Sequence, residues 1–290
     1  MKKSLSSHSG TMRFIEWASL QYHLLWAYDG PAPEVARVGT YTSEDTSCWL
    51  LRKGAVVLRT TGQAAVTVHP GQWVFVASPG RHQRFSPDAE LLSLHFQLTW
   101  PGRVTVVNRE RNLVISADKI PQLERAARPV VRLLARTFPG AGAFLPGMRC
   151  TREAYLRVQS LLPPLLNAYL DAQDTLGNLP AMQSGIDERV LRASAEIDRM
   201  PIDQTMSEAR LDRQLGLSRS HLDALFVAQL ETTPRRYLEG RRLTVAERLL
   251  KQTQRSVKEI AIELGFRHSS HFCMWFKRLR GRSPTEFRKG

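Results

Sequence analysis

Residues 258–287 read KEIAIELGFRHSSHFCMWFKRLRGRSPTEF, and residues 209–238 read ARLDRQLGLSRSHLDALFVAQLETTPRRYL. The two stretches are copies of one pattern. Leu215 and Gly216 precede Leu264 and Gly265 by 49 residues, whereas Leu222 precedes Phe272 by 50. One extra residue therefore lies in the turn of the second copy. The repeat indicates that one supersecondary unit is built twice.

Each copy has the pattern of a helix-turn-helix. A short helix ends at Gly216 or Gly265, because glycine adopts a left-handed backbone at low cost. A second helix then carries an apolar stripe at positions i, i+3 and i+4, and its opposite face is free to enter a major groove. The stripes are Leu222, Leu225 and Phe226 in one copy and Phe272, Trp275 and Phe276 in the other. We predict helix-turn-helix units at 207–230 and 256–280.

The segment between the copies is predicted to be one long helix, from Pro234 to Gln252. Its apolar residues recur three and four apart, which predicts one buried side. These residues are Leu243, Ala246, Leu249 and Leu250. A rigid helix between two reading units fixes their separation, and one turn of DNA, roughly 34 Å, is the natural spacing.

Residues 241–289 resemble the signature of the AraC/XylS family of transcription regulators. The matching motifs are IA..LGF at 260–266, Phe-x-x-x-Phe-Lys at 272–277, and Gly-x-Ser-Pro-x-x-Phe-Arg at 281–288. The resemblance extends over about 100 of 290 residues. It implies a regulator, such as an activator, that binds double-stranded DNA, forms a homodimer and contacts RNA polymerase.

The first copy departs from the family pattern at two positions. Asp212 stands where the second copy has Ala261, and Glu231 stands where it has Gly281. The family usually has small residues at both places. Either Glu231 adopts a positive φ or the helix before it ends differently. We expect the first unit to bind DNA less tightly than the second.

The candidate DNA contacts follow from position on the second helix of each unit. The candidates for reading bases are Arg219, Ser220, Asp223, Ala224, Val227, His268, Ser269, Ser270, His271 and Met274. The candidates for binding phosphate are Arg241, Arg242, Lys277, Arg278, Arg280, Arg282 and Arg288. Arg219 fits a guanine reader and a phosphate clamp equally well. A solvated basic surface explains Arg241 and Arg242 as well as phosphate binding does.

Composition favours a polyanionic partner. The chain has 41 Lys and Arg against 27 Asp and Glu, a net charge of +14. Its 3 cysteines are far apart, which predicts neither a disulfide framework nor a zinc site. The first residues, MKKSLSSHSG, lack the apolar core of a signal peptide, and no run approaches the roughly 20 apolar residues of a membrane span. We expect a cytoplasmic protein.

The N-terminal half predicts a different domain. Short β segments cut by turns run from about Tyr41 to Trp100, which is typical of a small antiparallel barrel or sandwich. Helical periodicity follows from about Ala117 to Leu176. The stretch GQWVFVASPGRHQRF (71–85) resembles a cupin-like sensor domain. The predicted fold is α+β in two domains: a cupin-like barrel with helices at 1–176, a linker at 177–185, and an all-α DNA-binding domain at 186–290 with its two units joined by a long helix.

The barrel segments offer side chains for an effector such as a sugar or a small aromatic molecule. The candidates are Trp49, Arg52, Trp73, His82 and His95. The alternative is that the two tryptophans simply fill the core. A cupin metalloenzyme is a second hypothesis, but His69, His82 and His95 are isolated and the chain has no His-x-His pair. We therefore expect no catalytic residue, no metal and no cofactor.

Overall fold

The computed structural model describes residues 12–41, 45–78, 80–101, 104–138, 145–178, 186–204 and 208–289. Most of the predicted linker (179–185) and residue 207, the predicted start of the first helix-turn-helix, lie outside these ranges. The described residues of 21–99 and 105–182 form one compact unit. Those of 1–20, 100–104 and 183–290 form a second. The chain therefore has an N-terminal β-rich region and a C-terminal helical region.

The β-rich unit contains nine strands and two long helices in its described part. The strands are Gln21–Pro31 (β1), Val38–Tyr41 (β2), Thr46–Lys53 (β3), Val56–Thr60 (β4), Val66–Val68 (β5), Gln72–Phe75 (β6), Arg81–Phe85 (β7), Glu90–Thr99 (β8) and Leu113–Ser116 (β9). The helices of this unit are Pro121–Thr137 (α2) and Arg152–Thr175 (α3). The β region is longer than predicted, because β1 and most of β2 precede Tyr41 and β9 follows Trp100.

The strands form two antiparallel sheets. One has five strands in the order β1-β8-β3-β6-β9, and the other has four in the order β2-β7-β4-β5. No strand of the described residues pairs across the two sheets, so they do not close into a single barrel. Their facing surfaces, here called the inner faces, share an apolar cluster. Trp49 of β3 contacts Phe85 of β7 across it, with ring centroids 5.3 Å apart.

The other side of the five-stranded sheet, its outer face, is covered by helix. Successive side chains of a strand point to opposite faces, so Phe75 and Phe96 point away from the inner face. Both pack on Tyr169 of α3, at centroid distances of 5.6 and 4.6 Å. The periodic apolar residues of α2 and α3 thus find their partner on this sheet.

The helical unit contains eight helices in its described part. They are Phe14–Ala18 (α1), Glu188–Arg199 (α4), Glu208–Leu215 (α5), Arg219–Leu230 (α6), Pro234–Gln252 (α7), Val257–Glu263 (α8), Ser269–Arg280 (α9) and Pro284–Lys289 (α10). α1 joins this unit through Arg13, whose guanidinium donates to the Ile186 carbonyl at 2.7 Å. The predicted long helix is thus present as α7, with 19 residues.

Two separate apolar cores lie along α7. The first packs α4, α5 and α6 against Tyr237 and Leu238, near the start of α7. The second packs α8, α9 and α10 against the rest of α7. The four α7 residues predicted to be buried are all buried in this second core. One helix therefore belongs to two small helical bundles.

Candidate nucleic-acid interface

α5 and α6 meet at a tight turn that matches the first predicted unit. Gly216 follows α5 with a φ of 63°, and Ser218 caps α6 by accepting a hydrogen bond from the His221 N–H at 3.4 Å. Leu222 and Phe226 are buried beneath α6. The predicted base readers lie on its other side: Arg219, Ser220, Ala224 and Val227 are exposed, and Asp223 is half-buried.

α8 and α9 repeat this arrangement. Gly265 has a φ of 81°, and a Cβ there would lie 2.2 Å from the Asp203 carbonyl oxygen, so only glycine fits. Phe272 and Phe276 are completely buried under α9. The opposite face exposes Ser270, His271 and Met274, with 64 % of Met274 accessible, while Ser269 is half-buried.

His268 occupies the N-cap position of α9, but its side chain makes no capping hydrogen bond. Its ring instead meets the ring of His271 edge-on, with centroids 5.5 Å apart. Both histidines are exposed. They therefore present ring nitrogens beside the first turn of α9.

The helices α6 and α9 end differently in sequence but alike in backbone. Gly281 ends α9 in the left-handed conformation, at a φ of 74°. Glu231 ends α6 in the same conformation, at a φ of 52°, and is the single non-glycine residue with positive φ in the described part of the chain. Of the two alternatives for Glu231, the structure has the first.

The predicted phosphate-binding residues separate into three groups. Lys277 and Arg282 are exposed, and the Arg282 guanidinium lies 5.1 Å from the Phe287 ring centroid. Arg278 pairs with Glu239 of α7, and Arg280 pairs with Glu247. These ion pairs hold α9 against α7 and leave both guanidinium groups near the surface.

The third group is bound to backbone carbonyls of the protein itself. Arg241 donates to the carbonyls of Ile197 and Met200, at 3.0 and 2.6 Å. Arg242 donates to two carbonyls of the segment after α4, and Arg288 donates to the Leu250 carbonyl at 3.2 Å. Burial lowers the pKa of Arg241 and of Arg242. These hydrogen bonds assign all three a structural role.

The structure does not bring the five effector candidates together. Trp49 and His95 lie on the inner face of the five-stranded sheet, whereas Trp73 is completely buried on the outer face. Arg52 forms ion pairs with Asp29 and with Glu124 of α2.

His82 also lies away from that inner face. It is on the side of β7 opposite the buried residues Arg81 and Gln83, with a ring nitrogen 3.2 Å from the Thr40 hydroxyl. Only two of the five candidates thus share one surface.

Arg81 is an inner-face residue that the sequence did not single out. Only 4 % of it is exposed, and its guanidinium lies over the rings of Tyr41 and Trp49. β7 reads RHQRF, with polar residues on both faces, so alternation of polarity did not reveal which of them point inward. The pairing of β7 with its neighbouring strands decides which of these residues point inward, and that pairing cannot be read from the sequence.

Among the described residues, no three His, Cys, Asp or Glu side chains are arranged to hold a metal ion. No helix in the described ranges combines the length and apolar character that crossing a bilayer requires.

Comparison with known proteins identifies the helical unit. A family model described as "Helix-turn-helix domain" matches residues 211–290. An uncharacterised HTH-type transcriptional regulator of Haemophilus influenzae is 40% identical over 73 residues, 25% of this chain and 24% of that protein. The regulator MtrA of Neisseria gonorrhoeae is 32% identical over 132 residues, 44% of this chain and 42% of that protein. The activator RhaS of Escherichia coli is 39% identical over 77 residues, 27% of this chain and 28% of that protein.

These matches span less than half the length of each relative. Among solved structures, a regulator with an AraC-type DNA-binding domain from Chromobacterium violaceum is 29% identical, with 35% of this chain and 89% of that chain covered and a TM-score of 0.32. ToxT of Vibrio cholerae is 12% identical, with 93% and 97% covered and a TM-score of 0.40. Residues 211–290 of this chain therefore match a helix-turn-helix domain.

Proposed function

We propose that the whole chain is a sequence-specific DNA-binding transcription regulator of the AraC/XylS type, reading DNA with two helix-turn-helix units. The observation that carries the proposal is the pair of helices α6 and α9. Each follows a left-handed glycine turn, buries one side in its own core and exposes the other. A helix with one exposed face after such a turn is the element that enters a major groove.

In this proposal the exposed faces read base edges and a basic rim binds phosphate. The readers are Arg219, Ser220, Asp223, Ala224 and Val227 on α6, with His268, Ser269, Ser270, His271 and Met274 at α9. Met274 suits a thymine methyl group, and Arg219 suits guanine or a phosphate. Lys277, Arg278, Arg280 and Arg282 are the proposed phosphate contacts. Arg241, Arg242 and Arg288 rank below these four, because each guanidinium already donates to two backbone carbonyls of the protein.

The β-rich unit is proposed to be a cupin-like sensor domain that modulates DNA binding through a small molecule. The inner face supports this role, since Trp49 and His95 lie there beside other polar and aromatic side chains. The same proposal includes a homodimer, contact with RNA polymerase, a cytoplasmic location and the domain boundaries 1–176, 177–185 and 186–290. RhaS is named an activator, which supports activation rather than repression of transcription by this chain.

The test is selection of binding sites by the purified full chain from a pool of random duplexes. We expect enrichment of two short motifs about 10 base pairs apart, one for each reading helix. H271A together with M274A should relax the sequence of one motif and leave the other intact. The proposal fails if no motif is enriched.

Salt dependence tests the phosphate contacts separately. Lys277→Ala should weaken binding to a selected site and to unrelated DNA by the same factor. It should also reduce the slope of log K against log salt by about 1. Arg136→Ala is the matched control, because it also removes one exposed positive charge but lies on α2 of the other unit. An equal loss in both variants would contradict a phosphate contact at Lys277.

A further inference from the structure

A buried cation lies between the two sheets. Arg81 begins β7 and pairs with Tyr41 of β2 and Thr60 of β4, so it belongs to the inner face of the four-stranded sheet. Its guanidinium lies 5.3 Å from the Tyr41 ring centroid and 5.2 Å from that of Trp49, which belongs to the facing sheet. The charge therefore sits inside the unit, between aromatic rings.

This charge has no anionic partner among the described residues. Arg81 Nε donates to Gln83 Oε1 at 3.2 Å, and the ion pairs of the described residues do not include Arg81. A guanidinium carries five N–H donors, and buried charges in proteins are normally paired and hydrogen-bonded. Burial lowers the pKa of Arg81 to about 10, so the group stays charged at neutral pH. The remaining donors of the guanidinium have no protein partner among the described residues.

The side chains facing Arg81 are polar but neutral. His95 interacts electrostatically with Arg81, and its Nδ1 is 3.0 Å from the Ser47 hydroxyl. Burial lowers the pKa of His95 to about 3, so this ring is uncharged at neutral pH. Ser47 and Ser93 are buried on the same face, and Trp26 packs on His95 at a centroid distance of 5.6 Å.

We propose that Arg81 anchors a small organic monocarboxylate between the two sheets, with the carboxylate on the guanidinium and an apolar body against the aromatic rings. This inference rests on the proposed function, because it names the chemistry of the effector. One permanent positive charge balances one negative charge, and a planar guanidinium matches a carboxylate with two parallel hydrogen bonds. A phosphate would bring a second charge with no partner. The rings of Trp49, Tyr41 and Trp26 suit an apolar body rather than a bare ion.

The experiment is thermal unfolding of the full chain with four probes: benzoate, hexanoate, benzamide and inorganic phosphate. A ligand that binds only the folded state raises the melting temperature, and the rise grows with the logarithm of ligand concentration over the dissociation constant. We expect a concentration-dependent rise with benzoate or hexanoate and none with benzamide or phosphate. Arg81→Met should abolish the rise, and Arg81→Lys should weaken it at least tenfold in apparent affinity. Arg84→Met is the matched control, since Arg84 is exposed on the same strand and should keep the full rise.

The unliganded variants separate a ligand anchor from a structural arginine. Without ligand, Arg81→Met should melt at the same temperature as the parent or higher, because an unpaired buried charge is removed. A large fall in that temperature, no response of the parent to either carboxylate, or a response to phosphate alone would overturn the proposal. DNA binding by Arg81→Met, measured by gel shift, keeps the two proposals apart. If the parent binds DNA but no carboxylate, the proposed carboxylate site fails and the proposed DNA-binding function stands. If it binds carboxylates but no DNA, the proposed function fails and the carboxylate site stands.

Discussion

Glu231 carries a backbone strain at the end of α6. It ends α6 at φ 52° and ψ 24°, the left-handed region that costs a non-glycine residue roughly 1 kcal/mol. Its side chain is exposed, so no buried contact repays that cost. Glu231→Gly should therefore raise the free energy of unfolding by about 0.5–1 kcal/mol. Urea unfolding followed by circular dichroism at 222 nm would measure it.

Gly281 supplies the reciprocal control, since it ends α9 in the same conformation with open space around its Cα. Gly281→Ala should lower the free energy of unfolding by about 1 kcal/mol through backbone strain alone. Opposite signs for the two variants are the expected pattern. Destabilisation by both would mean that the Glu231 carboxylate contributes more than its backbone costs.

His95 is expected to make the stability of the chain depend on pH. Burial lowers the pKa of its ring to about 3, whereas an unfolded histidine titrates near ~6.5. Between these values the unfolded chain holds a proton that the folded chain lacks, so stability is complete above pH 6.5 and falls as pH drops toward 3.

The test is His95→Gln, compared with the parent by urea unfolding at pH 7.5, 6, 5 and 4.5. Below pH 6.5 the loss of stability per pH unit should be smaller in the variant, by at most roughly 1.4 kcal/mol. Parallel curves for the two proteins would show that His95 takes up its proton in the fold as easily as in the unfolded chain.

At the scale of elements, the helical unit was predictable because its signals are local. Each of its features depends on residues that lie within one helix length of each other in the sequence. These features are the turn at Gly216, the apolar stripes of α6 and α9, and the buried side of α7. The family resemblance covered the same stretch. The exposure of the predicted readers followed directly, since an amphipathic helix leaves one face to solvent.

The β-rich unit was less predictable because its geometry depends on pairing between distant strands. Antiparallel short strands were expected, but β1 pairs with β8 across some 70 residues and was missed. Which polar residues point inward depends on register, so Arg81 was overlooked while Arg52 and Trp73 were included. Arg241 and Arg242 illustrate the same limit, since their carbonyl partners lie about 40 residues away.

The helices α6 and α9, which we propose to read DNA, differ in charge, and this difference predicts an asymmetry in how they bind. α6 carries Asp223 on its half-exposed face, whereas α9 carries no acidic residue. A carboxylate near DNA repels phosphate unless it accepts a hydrogen bond from a base. Asp223→Asn should therefore strengthen binding to unrelated DNA several-fold and relax sequence preference at the α6 motif alone.

Competition binding with a selected site and with shuffled DNA would measure this asymmetry. Glu263→Gln is a matched control, because it neutralises an exposed carboxylate on α8 rather than on a reading helix. The same gain in both variants would point to net charge rather than to the position of Asp223. A loss of binding at the selected site would instead identify Asp223 as an acceptor for a base.

At the scale of the whole molecule, a sensor that controls DNA binding must obey linkage. If a carboxylate bound at Arg81 changes the dissociation constant for DNA by some factor, DNA must change that for the carboxylate by the same factor. Such couplings are typically about 5–150-fold. Fluorescence anisotropy of a labelled site with and without saturating benzoate gives one factor, and benzoate titration with and without DNA gives the other. We expect two equal factors in the parent and in Arg84→Met, and a factor of one in Arg81→Met. A factor of one in the parent, with both ligands bound, would mean that the inner face binds a carboxylate without controlling the reading helices, because a ligand that does not distinguish two states cannot shift their balance.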